Sequence, residues 1–256
     1  MSNYNKLKNN LEKLKLDKIN ENIDHYIDLI NKNERNLVDA LYELTESQVT
    51  FKDEIAKLSL IRTAGFPYNK TFEDFDFTFQ PSINRDELTD LKNLRFIDKK
   101  ENILLMGSSG VGKTHLAISI GIECAKNRLS TYFITCYDLI QKLKKASLEN
   151  RLADKMKVYE KYSVLIIDEI GYLPIETEEA NLLFQLINKR YEKNTTIITS
   201  NISFDKWGEL FKDNTIASAM LDRLLHHSNI FNISGNSYRI KDKLDNQNTK
   251  NEAISH

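Results

Sequence analysis

Cysteine, proline and glycine are all scarce in this 256-residue chain, which has two Cys, three Pro, eight Gly and a single Trp. Cys124 and Cys136, expected in a helix and a strand, have no CxxC or Cys/His cluster beside them. That excludes a disulfide framework and a cysteine-based zinc site, and leaves two reduced core thiols. Low Gly and Pro, with 29% charged and 41% hydrophobic residues, exclude a fibrous or low-complexity chain and fit a soluble, helix-rich globular one. Long apolar runs are also missing. The longest purely aliphatic stretch, Val164 to Ile167, is far too short to span a bilayer, and MSNYNKLKNN has no secretory core. A cytoplasmic protein with no membrane partner is expected. Net charge is −1, so attraction to nucleic acid must come from local patches.

The length suits one α/β nucleotide-binding domain plus a smaller appendage. Apolar residues at Leu7, Leu11, Leu14, Ile19, Ile23, Tyr26, Ile27 and Ile30 line one face of an amphipathic helix. A second pattern through Leu37, Leu41 and Leu44 and a third through Phe51, Ile55 and Leu58 are separated by Asn- and Thr-bearing breaks. Gly65-Phe66-Pro67 then interrupts helical periodicity. Residues 1–66 are therefore expected to form an all-α domain for partner binding or oligomerisation. In TFEDFDFTFQPSI, Phe72, Phe75, Phe77 and Phe79 alternate with polar residues, as a short strand or an extended arm would.

Five β-rich runs follow, at Asn102 to Met106, Thr131 to Thr135, Ser163 to Ile167, Thr195 to Thr199 and Asn229 to Ile233, separated by helical patterns. Near-continuous Ile, Leu and Val implies strands buried on both faces, as in a parallel sheet between helix layers. The expected class is an α/β three-layer domain over residues 67–243, with 244–256 a polar tail lacking apolar periodicity.

Between the first strand and its helix lies Gly107-Ser108-Ser109-Gly110-Val111-Gly112-Lys113-Thr114, a G-x-x-x-x-G-K-[ST] loop followed by His115. Average residue frequencies give the full pattern by chance in about one percent of chains this long, before the strand and helix are required. Backbone amides of such a loop converge on phosphates at a helix N-terminus, Lys113 reaches the β and γ phosphates, and Thr114 ligates magnesium. ATP and Mg²⁺ are the expected cofactors. The third run, VLIIDE, delivers Asp168 to the metal and Glu169 as general base for the attacking water. Because a strand is inserted between the loop strand and the acids, the TTIITSN strand falls centrally, so Asn201 at its end could orient that water. An Asn closing a strand is otherwise a common turn former.

Together with KTFEDFDFTFQPSI, IDEIGYLPIE, LLFQLINKRYE, SNISFDKWGELF, LDRLLHHS and GNSYR, these motifs resemble the IstB-like family of transposon helper ATPases over about Lys70 to Lys243. That family is similar to DnaC-like helicase loaders and is part of the AAA+ ATPases. The resemblance implies an AAA+ ATPase that forms ATP-dependent homo-oligomers on duplex DNA and recruits or regulates a transposase. It also implies that Arg223 in LDRLL is an arginine finger acting on a neighbour's γ-phosphate, and that Arg239 in SYR contacts ATP. A helicase loader is the close alternative, with a replicative helicase as partner. A non-hydrolysing ATP-gated adaptor is a further one.

Relatives of this family carry a run of Arg and Lys before the FP turn, where this chain has AKLSLIRTAGFP. The local candidate for DNA contact is instead Gln141 to Lys161, with Lys144, Lys145, Arg151 and Lys155 at its centre. A solvated charged face explains the same lysines. His226 and His227, adjacent on an expected helix, would point in different directions and make a poor metal pair.

Overall fold

A computed structural model of the protein describes residues 2–238. The chain folds as two compact units, one up to Ser59 and one from Leu60 onward. The first unit contains α1 (Asn3–Lys13), α2 (Asp17–Asn31) and most of α3 (Leu37–Thr63). The single helix expected across Leu7 to Ile30 is broken, because the chain turns at Lys15 with φ of 53°. The two later patterns instead merge into α3, since Thr45 donates its hydroxyl back to the carbonyls of Leu41 and Tyr42 and so stays in the helix. Leu16 gives α2 no side-chain cap. Gln48, buried on α3, compensates by accepting from the Lys18 amide at 3.0 Å.

The second unit starts inside the last turn of α3. The Ala64 carbonyl accepts from the Phe133 amide at 2.7 Å, and the Phe66 ring lies against Gly121. Gly65-Phe66-Pro67, where the sequence pattern breaks, thus falls inside this unit. The Phe-rich stretch after it is not a strand: it forms a 3₁₀ turn at Phe72–Asp74 capped by Thr71, then further turns, and buries Phe72 and Phe75. The elements that follow are α4 (Arg85–Asp90), α5 (Arg95–Asp98), β1 (Asn102–Gly107), α6 (Lys113–Lys126), β2 (Thr131–Thr135), α7 (Cys136–Leu148), α8 (Leu152–Lys161) and β3 (Val164–Ile170). The chain continues through α9 (Thr177–Arg190), β4 (Thr195–Ser200), α10 (Trp207–Leu210), α11 (Asn214–Leu225) and β5 (Ser228–Ile233).

All strand pairs are parallel and the order is β2-β3-β4-β1-β5, so β4 is central between β3 and β1. Side chains alternate along each strand. Ile103, Leu105, Val164, Ile166 and Ile197 join the core that contains the α6 residues Leu116 and Ile120, while Leu104, Met106, Leu165, Ile167 and Ile198 join the core with α7, α9 and α11. Two cores on opposite faces of one sheet make the three-layer αβα arrangement. Cys136 is the first residue of α7, not a strand residue, because the Thr135 hydroxyl accepts from the Asp138 amide at 3.1 Å and caps the helix there. Both cysteines are buried and free. Among the described residues, no helix is long and apolar enough to cross a membrane.

Candidate functional site

The carboxyl ends of β1, β3 and β4 converge on one cleft of about 400 Å³. The loop from β1 to α6 forms its floor. Gly107 has φ of 147° and an added Cβ would stand 2.0 Å from the Ile233 carbonyl oxygen; Gly112, with φ of 101°, would drive one into the Phe75 ring at 2.6 Å. Neither position admits another residue without backbone movement. Gly112 is also the N-cap of α6 and supplies no side-chain bond to the helix. The first amides of α6 therefore remain directed at the cleft, which is what an anion requires. Residues 109–115, from Ser109 to His115, line the cleft. Lys113 curls over the loop and donates to the carbonyls of Gly107 at 2.7 Å and Ser108 at 2.6 Å. The Val111 side chain points into the core.

Asp168 is 3% exposed at the end of β3. Thr114 on α6 donates to its two carboxylate oxygens at 3.0 and 3.1 Å, and Thr199 on β4 donates at 2.6 Å. Burial pushes the Asp168 pKa above its ordinary value; the two hydroxyls and the Lys113 charge oppose that shift, and Glu169 adds to it. Glu169 adopts a left-handed φ of 63°, where the β3–β4 register shifts between Ile167 and Ile170. The Thr199 hydroxyl also accepts from the Glu169 amide at 2.9 Å. This bulge turns Glu169 out of the sheet into the cleft, where Asn201 is a second wall residue. The donor set around Thr114 and Asp168 is hard oxygen, the chemistry magnesium prefers.

The opposite wall comes from the Phe-rich arm and from the segment after β5. It includes Tyr68, Lys70, Phe75, Gln80 and Tyr238. His115 binds this arm through Nε2 and the Thr71 carbonyl oxygen, 2.8 Å apart, and burial lowers its pKa. The Tyr238 amide donates to the Gly110 carbonyl at 2.9 Å, so the arm beyond β5 is tied to the loop.

The structure thus gathers Ser109 through His115, Glu169 and Asn201 at one cleft, with Asp168 buried behind Thr114 and Thr199 and with Gly107 and Ser108 bonded by Lys113. Arg223 is not part of the lining. It lies on α11, where its Nε donates to Asn188 at 2.6 Å, its Nη1 to the Ala219 carbonyl, and its guanidinium stacks over Phe184. Arg239 lies outside the described residues. Lys144 pairs with Glu179 at 2.7 Å, Lys145 and Arg151 flank Glu149, and Lys155 lies over the Tyr159 ring. Thr199, Phe75, Gln80 and Tyr238 were missed by motif reading. Thr199 could have been found from its place two residues before Asn201 on the strand expected at the centre of the sheet.

Fold and cleft together define a P-loop nucleotide-binding protein of the AAA+ class. Residues 9–246 match the family described as IstB-like ATP binding protein, and the chain belongs to that family. It is 49% identical over 247 residues to the "Insertion sequence IS232 putative ATP-binding protein" of Bacillus thuringiensis subsp. berliner, covering 96% of this chain and 99% of the relative. It is 42% identical to the "Insertion sequence IS21 putative ATP-binding protein" of Pseudomonas aeruginosa, over 91% of this chain and 88% of the other. Among solved structures, a DnaC helicase loader superposes with a TM-score of 0.53 at 22% identity, covering 68% of this chain and 98% of the loader. AMPPCP-bound DnaA from Aquifex aeolicus gives 0.55 at 19%, covering 72% and 57%. These structural likenesses speak to the fold.

The geometry of the two histidines differs from the sequence expectation. α11 ends at Leu225, so His226 is its C-cap and His227 lies beyond it. The chain leaves the helix there, and the rings come together with centroids 4.0 Å apart.

Proposed function

We propose that the protein is a magnesium-dependent ATPase that assembles with ATP on duplex DNA and recruits or regulates a transposase. The observation that carries the catalytic part is the Thr114–Asp168–Thr199–Glu169 chain of hydrogen bonds at the mouth of the phosphate loop. In this reading Gly107 to His115 cradle the phosphates, Lys113 neutralises them, and Thr114 and Asp168 hold Mg²⁺, which when bound screens the phosphate charge. Glu169 takes the proton from water that Asn201 orients. Arg239 contacts the nucleotide by family pattern alone.

Arg223 supports assembly as a condition for turnover. Its absence from the lining of its own cleft suits a finger given to a neighbouring subunit, a contribution of about 10³ to 10⁵ in rate. The client is argued from relatives encoded in insertion sequences. A helicase-loading role draws only on a shared fold. The deciding experiment is ATP turnover with Mg²⁺ and duplex DNA for the native chain and for Glu169→Gln. The variant should lose about 10² to 10⁴ in rate, as removal of a general base does. Equal, negligible rates in both would instead leave a nucleotide-gated adaptor.

A further inference from the structure

At the edge of the sheet where β1, β4 and β5 begin, three metal-ligating groups meet. Glu192 Oε1 is 3.7 Å from His226 Nδ1 and 3.7 Å from His227 Nε2, and the three ligand atoms all lie within 4.8 Å of one another. We propose that Glu192, His226 and His227 bind a divalent transition-metal ion of the zinc class at a site separate from the phosphate cleft.

Three features carry the assignment. The donors are two imidazole nitrogens and one carboxylate, a set that suits zinc and its neighbours and not magnesium. Zinc–nitrogen bonds of about 2.0–2.1 Å place tetrahedral donors about 3.3 Å apart, so the two 3.7 Å separations from Glu192 close around an ion with shifts of a few tenths of an ångström, and the two imidazole nitrogens, within 4.8 Å of each other, close by rotation of the exposed rings. Side-chain exposures of 51–54% leave a path for the ion and room for a water as fourth ligand.

The backbone holds these donors in place. Glu192, at φ of 58°, sits in a turn fixed by the Tyr191 amide donating to the Ile187 carbonyl and the Lys193 amide to that of Arg190. On the other side the His226 amide donates to the Asp222 carbonyl, and the His227 carbonyl accepts from the Asn102 amide at the start of β1. Tyr191 Oη is 2.6 Å from His226 Nδ1. With the phenol donating, the Nδ1 lone pair is engaged by Tyr191 Oη, so the imidazole is the tautomer with Nδ1 unprotonated, and a bound ion would have to displace that hydrogen bond. The ion would tie the turn after α9 to the end of α11, three residues beyond Arg223.

The test uses the full-length chain without a polyhistidine tag, in buffer containing Mg²⁺ so that the hard-oxygen site is occupied. Calorimetry with Zn²⁺ and visible absorption with Co²⁺ should show one equivalent bound, with the intense d–d bands of four-coordinate cobalt. His226→Ala with His227→Ala should weaken binding more than about 100-fold, beyond what loss of an outer-shell partner costs. The single variant Glu192→Gln, which leaves both helices untouched, should weaken it at least about tenfold. The other three of the five histidines remain in every variant and report background. No saturable binding by the native chain at about 100 μM Zn²⁺, well above ordinary protein-site affinities, or binding unchanged in both variants, would overturn the proposal.

Discussion

At the scale of single residues, Asp168 is held in a state that costs stability for the sake of its position. Its pKa is raised by burial, so the folded chain binds that proton more tightly than the unfolded chain does. Between the ordinary value of 3.8 and the raised one, stability therefore falls as pH rises, because the native state must carry a buried charge. Asp168→Asn should raise Tm at neutral pH in nucleotide-free protein while abolishing turnover, measured by thermal melts beside an ATPase assay; a lower Tm would contradict this account. Thr199→Val removes a donor to the same carboxylate and the acceptor of the Glu169 amide. Losing a hydrogen bond to a charged group costs about 1.5–3 kcal/mol, so turnover should fall roughly ten- to a hundredfold. The loop and the DE pair were legible in sequence because their chemistry is local. Thr199 was legible only by its place on the strand expected beside the acids, since it meets Asp168 from the adjacent strand, 31 residues away, and no local motif encodes that contact.

Elements were legible where burial is two-sided. The strands read as near-continuous Ile, Leu and Val because helices cover both faces, and the central place of β4 followed from the inserted β2. One-sided or capped segments misled. Cys136 sits where a β-rich run meets a helix start, and only the Thr135 cap decides the boundary. Burial pushes both thiols up to about 12. A thiol reagent at pH 8 should therefore leave the folded protein unlabelled and modify two thiols per chain once it is denatured. Arg190 is a further element-scale feature without a sequence signal. Arg190 is 1% exposed, and its guanidinium donates to the carbonyls of Tyr159, Glu160, Tyr162 and Thr195 and to the Thr196 hydroxyl, fastening the end of α8, the end of α9 and the start of β4. Burial draws its pKa down to about 9, which still leaves it charged at neutral pH. Arg190→Met should cost several kcal/mol, since each carbonyl left without a donor contributes about 1–3, that of Glu160 excepted because Asn194 also donates to it. Arg190→Lys should recover little, because an ammonium lacks the planar fork. Chemical denaturation of both variants measures the difference.

At the scale of the molecule, the proposed site divides between what one cleft gathers and Arg223, which lies outside its lining. The residues proposed to hold phosphate from Ser109 to His115 line one cleft, whereas Arg223 is absent from that lining and is held on α11 by Asn188 and Phe184. Motif spacing cannot reveal this separation, because a finger and a surface ion-pairing arginine look alike in sequence. Two variants that are inactive for different reasons can. On the proposed roles, Arg223→Ala would keep a complete cleft but could not serve a neighbour, and Glu169→Gln would keep the finger but could not activate water. If the finger acts between subunits in a head-to-tail contact, a subunit bearing Arg223→Ala becomes active whenever its neighbour bears Glu169→Gln. Random equimolar mixing should then restore turnover at about one quarter of all sites, since heterologous interfaces pair cleft and finger independently. Recovery should rise with protein concentration as assembly does. If Arg223 acts within its own chain, every subunit in the mixture lacks one essential group and turnover stays at the level of the separate variants at any concentration.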